Sequence, residues 1–473
     1  MNTNRFDGAV ECVTELCLEL LAQKEDFVDV ELASFRLVSD ILRKAIGLAL
    51  ERFDDELFES KAVPGSVKSK ERRRVVSLCG EISFCRRRYQ EGDSSHLPLD
   101  EILTLSPRAR LSPAAIFEIT SLALDLSYQK TAAAFERISG VRISKPSVGE
   151  AIVATASALG FEQESSKKKA VKELMCEADG IWVALQHTKT SRLKAARQGV
   201  CLPRKAEVSL AVDYEGKKKD AYGKRIRINP YYHVSLEGKE VLWESVQKSI
   251  EARFDTSRIH RTLFATDGEA AYVAGKHLLP GHVTHLYDRW HVFKIVRDLT
   301  NSDISPEIIS LLCARRLDGA LLHLGGYRDA YRQESDFKTA KNIQKLMKFL
   351  VKWENEILAG LIYSLGTCEG SNAHVIAARC KRLGRSWSRR RLSALCKLLG
   401  HIHSGGQIPK IRRVAKLVLV ERKPTSEPAV LPPPDNSARK YEVCGNHYYH
   451  QAQFSDEQIA SKVHSWKNEW KYI

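Results

Sequence analysis

Two aspartates and a glutamate stand where hard oxygen ligands for a divalent cation could be gathered. Asp179 ends the apolar run that starts at Leu174 and is followed by Gly180; Asp267 ends the run from Arg261 to Thr266 and is followed by Gly268. Metal-assisted phosphoryl transfer needs carboxylates from separate elements converging on one point, classically around two ions roughly 4 Å apart. A strand end puts a side chain in the crevice where open α/β sites form, and a following glycine permits a tight turn beside a bulky phosphate. An Asp-Gly pair alone is more often a turn than a ligand; two of them after strand-like runs in one basic chain bring the readings level. Glu177 rivals Asp179 for the first ligand, because residues two apart on a strand face the same side. The adjoining glycine favours Asp179. Glu369 opens the helix-like stretch Glu369-Gly-Ser-Asn-Ala-His-Val-Ile-Ala-Ala-Arg379, and a carboxylate at a helix start is also what the macrodipole favours. From pattern alone that plainer explanation wins.

Basic residues surround these positions. Lys and Arg outnumber Asp and Glu by 74 to 58, a formal charge of +16. Such an excess favours a polyanionic partner, nucleic acid or an anionic membrane surface. No amphipathic basic segment with a Trp/Phe face is present, so nucleic acid is preferred over membrane. The clusters are Lys68 to Arg74 (with Arg72, Arg73 and Arg74), Arg86-Arg87-Arg88, Lys167 to Lys169, Lys217 to Lys219, and a run after Glu369 holding Lys381, Arg382, Arg385, Arg389, Arg390 and Arg391 around Trp387. Basic residues interleaved with Trp could follow a phosphate backbone; a solvated helix face is the competing reading. The eleven cysteines include no Cys-x-x-Cys pair, which predicts free thiols in a reducing, cytoplasmic setting. Cys444, His447 and His450 have ligand chemistry but no second cysteine, and a polar surface stretch is the preferred reading.

The elements that must position these residues follow from periodicity and turn chemistry. Residues 1–63 predict a helical unit, with Val10, Val13, Leu16 and Leu20 on one face. Residues 64–165 predict a basic stretch, a strand or hairpin over Val75 to Tyr89, and three helices in helix-turn-helix order from Ser112-Pro113 onwards. Residues 170–300 alternate strands and helices, which implies a mixed α/β unit with a partly parallel sheet. Residues 301–365 read as a helical insertion, 366–420 as the last part of the α/β core, and 421–473 as a Pro-rich linker and tail. No run approaches a membrane span.

From about Arg72 to Leu399 the chain resembles the ISLre group of bacterial insertion-sequence transposases. The resemblance rests on Gly80-Glu-Ile-Ser-Phe84 with Arg86-Arg-Arg-Tyr89, Pro98-Leu-Asp-Glu101, Leu126-Ser-Tyr128, Glu177-Ala-Asp-Gly180, Thr266-Asp-Gly268, Asp288-Arg-Trp-His291, Glu369-Gly370 and Gly384-Arg-Ser-Trp-Ser388. No single piece is strong; their order and spacing are specific. It implies an RNase H-like mixed-sheet core interrupted by a helical insertion and preceded by a mainly helical DNA-binding region. It also implies a catalytic Asp, Asp, Glu set on Asp179, Asp267 and Glu369 holding two Mg²⁺ ions (or Mn²⁺), with Asp288 and His291 in an auxiliary role or a structural hydrogen bond. The implied activity is cleavage and strand transfer of an insertion sequence. The partners would be transposon ends and target DNA, with a homodimer or higher oligomer acting at the bacterial nucleoid. Ser371-Asn372 and the Pro-rich tail match nothing in that group. An RNase H-like nuclease without strand transfer and an inactive DNA-binding regulator are the alternatives.

Overall fold

The computed structural model describes residues 3–23, 26–103, 105–106, 109–159, 168–223, 225–363, 365, 368–381 and 384–409. Arg382, Lys167, the Pro-rich tail and the Cys444, His447, His450 group therefore lie outside the described residues. The helical start is α1 (Thr3–Gln23) and α2 (Phe27–Glu59), the second capped by Asp26, whose carboxylate accepts from Asp29 N at 2.8 Å. A long antiparallel hairpin follows, β1 (Ser66–Ser77) and β2 (Gly80–Glu91), extended by β3 (Ser94–His96). The basic stretch expected ahead of the first strand is itself part of β1. Pleating leaves Arg72 and Arg74 exposed, and the strand ends on buried Val75 and Val76. Ile46, Leu50 and Phe53 of α2 pack on the Val75, Ile82 and Phe84 cluster of this hairpin.

After α3 (Pro98–Ile102) come α4 (Pro113–Asp125), α5 (Tyr128–Ser139) and α6 (Lys145–Ser157). Ser112, Ser127 and Ser144 cap the last three through Ala115 N, Lys130 N and Ser147 N, and left-handed Gly140 (φ 69°) ends α5. These are the three helices the caps predict. They do not form a module apart from the α/β region, however. Ile119, Phe135, Val148 and Ile152 share one buried core with Ile181, Val183, Val208 and Leu210 of the central sheet.

That sheet contains β4 (Glu173–Ala184), β5 (Lys205–Tyr214), β8 (Tyr231–Ser235), β9 (Arg261–Thr266) and β10 (His282–Tyr287), in the order β10-β9-β4-β5-β8. β4 is parallel to β9 and β9 to β10, whereas β5 runs antiparallel to both its neighbours. Short helix α7 (Lys189–Arg197) links β4 to β5, and a separate ribbon, β6 (Gly216–Lys219) with β7 (Arg225–Ile228), sits between β5 and β8 in the chain. β7 and β8 are parted at Asn229-Pro230, where Asn229 is left-handed (φ 50°) and proline offers no N–H. Trp243, Val246 and Ile250 of α8 (Lys239–Arg253) cover the second face against Leu174, Cys176, Ala178 and Phe264. The architecture is mixed α/β with helices on both faces.

Beyond α9 (Ala270–Val273) and α10 (Arg289–Leu299), the helical insertion is present as expected: α11 (Ile304–Cys313), α12 (Leu317–Gln333), α13 (Phe337–Lys352) and α14 (Glu354–Tyr363). It has its own core of Ile308, Leu312, Leu324, Ile343, Leu346 and Leu350, reached by Tyr287 at the end of β10. The chain returns through α15 (Cys368–Ser371), a π-helical turn Asn372–Ala377 and α16 (Ala378–Cys380) to α17 (Arg389–His403), whose Leu392, Leu395 and Leu399 close the first core. Among the described residues no helix is long and apolar enough to cross a membrane. The nine cysteines whose side chains are described are all free thiols.

Candidate metal centre

The strand expected to break at Asp179-Gly180 does not break. β4 continues to Ala184, and Asp179 lies mid-strand opposite Leu210 of β5. Gly180 is required by contact rather than by a turn: a Cβ there would collide with the Glu207 carboxylate and the Tyr272 hydroxyl. What opens the site is the other edge of β4. Its pairing with β9 stops at Glu177–Ala265, while its pairing with β5 runs on to Ala184. Asp179 therefore sits just beyond the end of the parallel pairing, and Asp267 follows the last residue of β9 as the sequence predicts. There the chain turns through left-handed Gly268 (φ 84°), whose missing side chain leaves room for the Tyr287 ring. Asp288 follows the last residue of β10 and caps α10 by accepting from Trp290 N at 3.4 Å.

Of the three carboxylates expected to converge, two do so. One donor atom each from Asp179, Glu369 and His291 lie within 4.8 Å of one another. Asp267 is not in that group; its Oδ1 accepts from Glu269 N at 2.9 Å, a local turn that holds the carboxylate to its own loop. It is near enough for its charge to raise the pKa values of both Asp179 and His291. His291, expected in an auxiliary role, is within the group itself. Asp288 Oδ2 holds its Nδ1 at 2.8 Å, which leaves Nε2 for a ligand, the usual arrangement of a metal-binding imidazole. Glu177 loses its claim as first ligand. It is fully buried, and its Oε1 accepts from the Tyr214 hydroxyl at 2.6 Å and from Arg227 at 3.2 Å.

The carboxylates and the imidazole act on one another's protonation. Burial pushes the Asp179 carboxyl up to about 6, partly opposed by His291 and by the Gly180 N–H, and Asp267 and Glu369 push it further in the same direction. Burial alone would lower the His291 pKa, but the Asp288 hydrogen bond and the charges of Asp179, Asp288 and Asp267 raise it. One residue that the sequence reading passed over belongs here. Asn372 is fully buried, donates from Nδ2 to Asp179 Oδ2 at 3.0 Å, and has an Oδ1 with no partner among the described residues. The available signal was its place three residues after Glu369, one helical turn on; the π-helical turn that starts at Asn372 is a feature concentrated at functional sites. Two carboxylates and an imidazole oriented by a carboxylate suit a divalent cation, and the Asn372 amide holds one of the two carboxylates. The nitrogen suits Mn²⁺ better than Mg²⁺.

The arginines expected to face DNA divide sharply. Arg72, Arg73, Arg74 and Arg110 line a cleft of about 470 Å³ together with Glu81 and, at its floor, Arg86. Arg86 is 4% exposed and paired with Asp100 at 2.8 Å, so it is a buried strut rather than a surface contact. Arg87 binds Asp54 and Asp55 at 2.6 and 2.7 Å, and Arg88 binds Glu71 at 2.7 Å; this triplet is spent tying β2 to α2, α3 and β1. In the later run Lys381 is exposed, Arg385 donates to Arg379 O at 2.5 Å, and Arg389 donates to Leu236 O. Arg390 and Arg391 reach Glu150 of α6 at 3.0 and 3.1 Å.

Residues 23–416 match the family described as Uncharacterised protein family (UPF0236). A UPF0236 protein of Streptococcus gallolyticus, named for the vanSb 3' region, is 25% identical over 398 residues, which is 80% of this chain and 83% of that protein. Two from Caldanaerobacter subterraneus are 24% identical over 387 residues (79% of this chain, 77% of the relative) and 23% over 413 residues (85% and 84%). The name of the first of these two joins eleven locus designations.

Proposed function

The chain belongs to the UPF0236 family, and we propose that it is a metal-dependent DNA transposase of the RNase H-like DDE type, similar to the ISLre group. The observation that carries this reading is the convergence of Asp179, His291 and Glu369, from the central strand, the helix after β10 and the helix after the insertion. Further support comes from a five-stranded sheet in which only β5 is reversed, and from a helical insertion placed just before Glu369. A relative borne at many loci of one genome is also what a self-propagating element leaves behind.

Asp179, Glu369 and His291 would hold a Mg²⁺ or Mn²⁺ ion, and Asp267 is the carboxylate left for a second. Bound there, the cation supplies Lewis-acid polarisation of a phosphodiester and a more acidic water. Asp288 keeps the imidazole oriented, and Asn372 fixes the rotation of the Asp179 carboxylate. Hydrolysis at an element end frees a 3′-hydroxyl, whose oxygen then attacks a target phosphodiester in line; as the new P–O bond forms, the target's P–O3′ bond breaks, and the proton lost by the attacking hydroxyl is balanced by the one gained on the released target 3′-hydroxyl, with no covalent protein–DNA intermediate. The partners are element ends and target DNA at the bacterial nucleoid, bound by a homodimer or larger assembly. The test is cleavage and strand transfer by the purified full chain on DNA carrying the boundaries of its own gene. Product is expected with Mg²⁺ or Mn²⁺ and none with EDTA; equal cleavage in EDTA would overturn the reading.

A further inference from the structure

The β6–β7 ribbon carries Lys217, Lys218, Lys219, Arg225 and Arg227 on eight paired residues. Its base is clamped to the catalytic sheet: Arg227 and Tyr214 both donate to Glu177, two residues before Asp179 on β4, and Asn229 Nδ2 reaches Glu215 at 3.0 Å. Asp220 to Gly223 form a turn beyond β6. Asp220 O accepts from Gly223 N at 3.0 Å, Asp220 Oδ1 accepts from Tyr222 N at 2.9 Å, and Gly223 is left-handed (φ 77°). That turn presents Tyr222 at 96% exposure, so its ring buries almost nothing in this chain. Beneath the ribbon a cleft of about 630 Å³ extends to Gly370 and Ser371, the residues that follow Glu369. Lys217, Arg225, Arg227, Arg289 and His374 line it, and no carboxylate does. Among the described residues Lys217, Arg225 and Arg289 form no ion pair. Burial pushes Lys217 below the ordinary lysine range; Glu177 opposes this, and the neighbouring Arg227 and Arg225 add to it. Four cations gathered around one buried carboxylate, leading from an exposed aromatic tip to a carboxylate cluster, suit an extended polyanion with stackable bases.

We propose that the β6–β7 ribbon and its cleft bind the DNA strand flanking the scissile phosphate, with Lys217, Arg225 and Arg289 on phosphates and Tyr222 stacked on an unpaired base. This rests on the transposase reading, yet binding can be measured apart from cleavage. Full-length protein in EDTA is titrated with a fluorescent duplex bearing a single-stranded arm that contains 2-aminopurine. Lys217→Ala with Arg225→Ala should weaken binding about tenfold and flatten the slope of log affinity against log salt by roughly 0.7 per contact on a single strand. Tyr222→Ala should weaken binding to the arm by about tenfold, abolish the 2-aminopurine quench and spare plain duplex, whereas Tyr222→Phe should keep the quench. Melting temperatures of all variants should match the parent. Unchanged affinity, slope and quench would overturn the ribbon assignment while leaving the transposase reading intact. Parent protein that binds no DNA overturns both. Parent protein that binds through the ribbon but never cleaves with Mg²⁺ or Mn²⁺ overturns the transposase reading alone.

Discussion

At the scale of single residues, the cluster makes claims that separate ligands from the groups that hold them. Asp179→Asn and Glu369→Gln keep side-chain shape and remove a ligand charge, so both should abolish cleavage while DNA binding in EDTA stays near parental. Glu177→Gln should instead reduce stability through its Tyr214 and Arg227 partners; a folded but inactive Glu177→Gln beside an active Asp179→Asn would reverse the assignment. Asn372→Ala and Asp288→Asn remove positioning groups, and about a ten- to hundredfold loss of Mn²⁺ affinity is expected, with cleavage recovering at high Mn²⁺. A purely structural role would lower the melting temperature without shifting the Mn²⁺ requirement. Protonation gives a further check. The Asp179 carboxyl sits near 6 in the fold against an ordinary 3.8, so the folded state binds that proton more tightly than the unfolded chain does. Its stabilising contribution is full below about 4 and is lost as pH rises through about 6. Without divalent cation, the melting temperature should therefore fall across that window, and Asp179→Asn should flatten the fall. Added Mn²⁺ at pH 8 should restore stability by roughly 2.7 kcal/mol at a hundredfold excess over Kd. A profile identical in parent and variant would show that Asp179 is not the titrating group.

At the scale of elements, the sequence was readable where a local rule decides the outcome. Three serine caps and Gly140 located α4 to α6, and apolar periodicity located the insertion helices. Within the insertion the periodicity does not show the break at Trp353 that parts α13 from α14. The strand-end position of Asp267 was legible, because Gly268 needs a left-handed backbone. The matching inference for Asp179 failed because the same dipeptide serves a different purpose: Gly180 is a close-packing glycine in the middle of β4, set by Glu207 and Tyr272, which lie far away in sequence. Asn372 was hidden for a similar reason, and His291, named from the resemblance in an auxiliary role, lies in the cluster itself. Their importance arises from where β10, the insertion and the π-helical turn bring them, and no spacing rule encodes that convergence. Arg86 to Arg88 read as a surface cluster because their acidic partners come from α2, α3 and β1. Gly180→Ala tests the packing explanation: it should cost about 1–3 kcal/mol of stability, read as a lower melting temperature, and an unchanged melting temperature would overturn it.

At the scale of the whole molecule, the shared core changes how end recognition can be probed. Truncation of residues 1–160 is the obvious route to a catalytic half, and helix-turn-helix order invites it. Yet Ile119, Phe135, Val148 and Ile152 bury the same face of the sheet as Ile181, Val208 and Leu395. Deleting them would expose a core-sized apolar surface, so the truncated chain should aggregate rather than bind DNA without selectivity. Point changes avoid this. Arg72 and Arg74 are exposed on β1 and line the cleft with Arg110, whereas Arg86 is a buried partner of Asp100. Arg72→Ala with Arg74→Ala should leave the melting temperature unchanged and flatten the salt dependence of duplex binding by roughly 0.9 per lost phosphate contact. Arg86→Ala should act oppositely: it strips the buried Asp100 of its partner and costs about 3–5 kcal/mol of stability, with any loss of DNA affinity tracking the loss of folded protein. Competition between the element end and random duplex then decides what the hairpin reads. If the Arg72, Arg74 variant loses affinity for both alike, the hairpin supplies phosphate contacts and recognition resides elsewhere, with the exposed start of α6 at Lys145 next to be changed. Loss confined to the element end would place recognition on the hairpin itself.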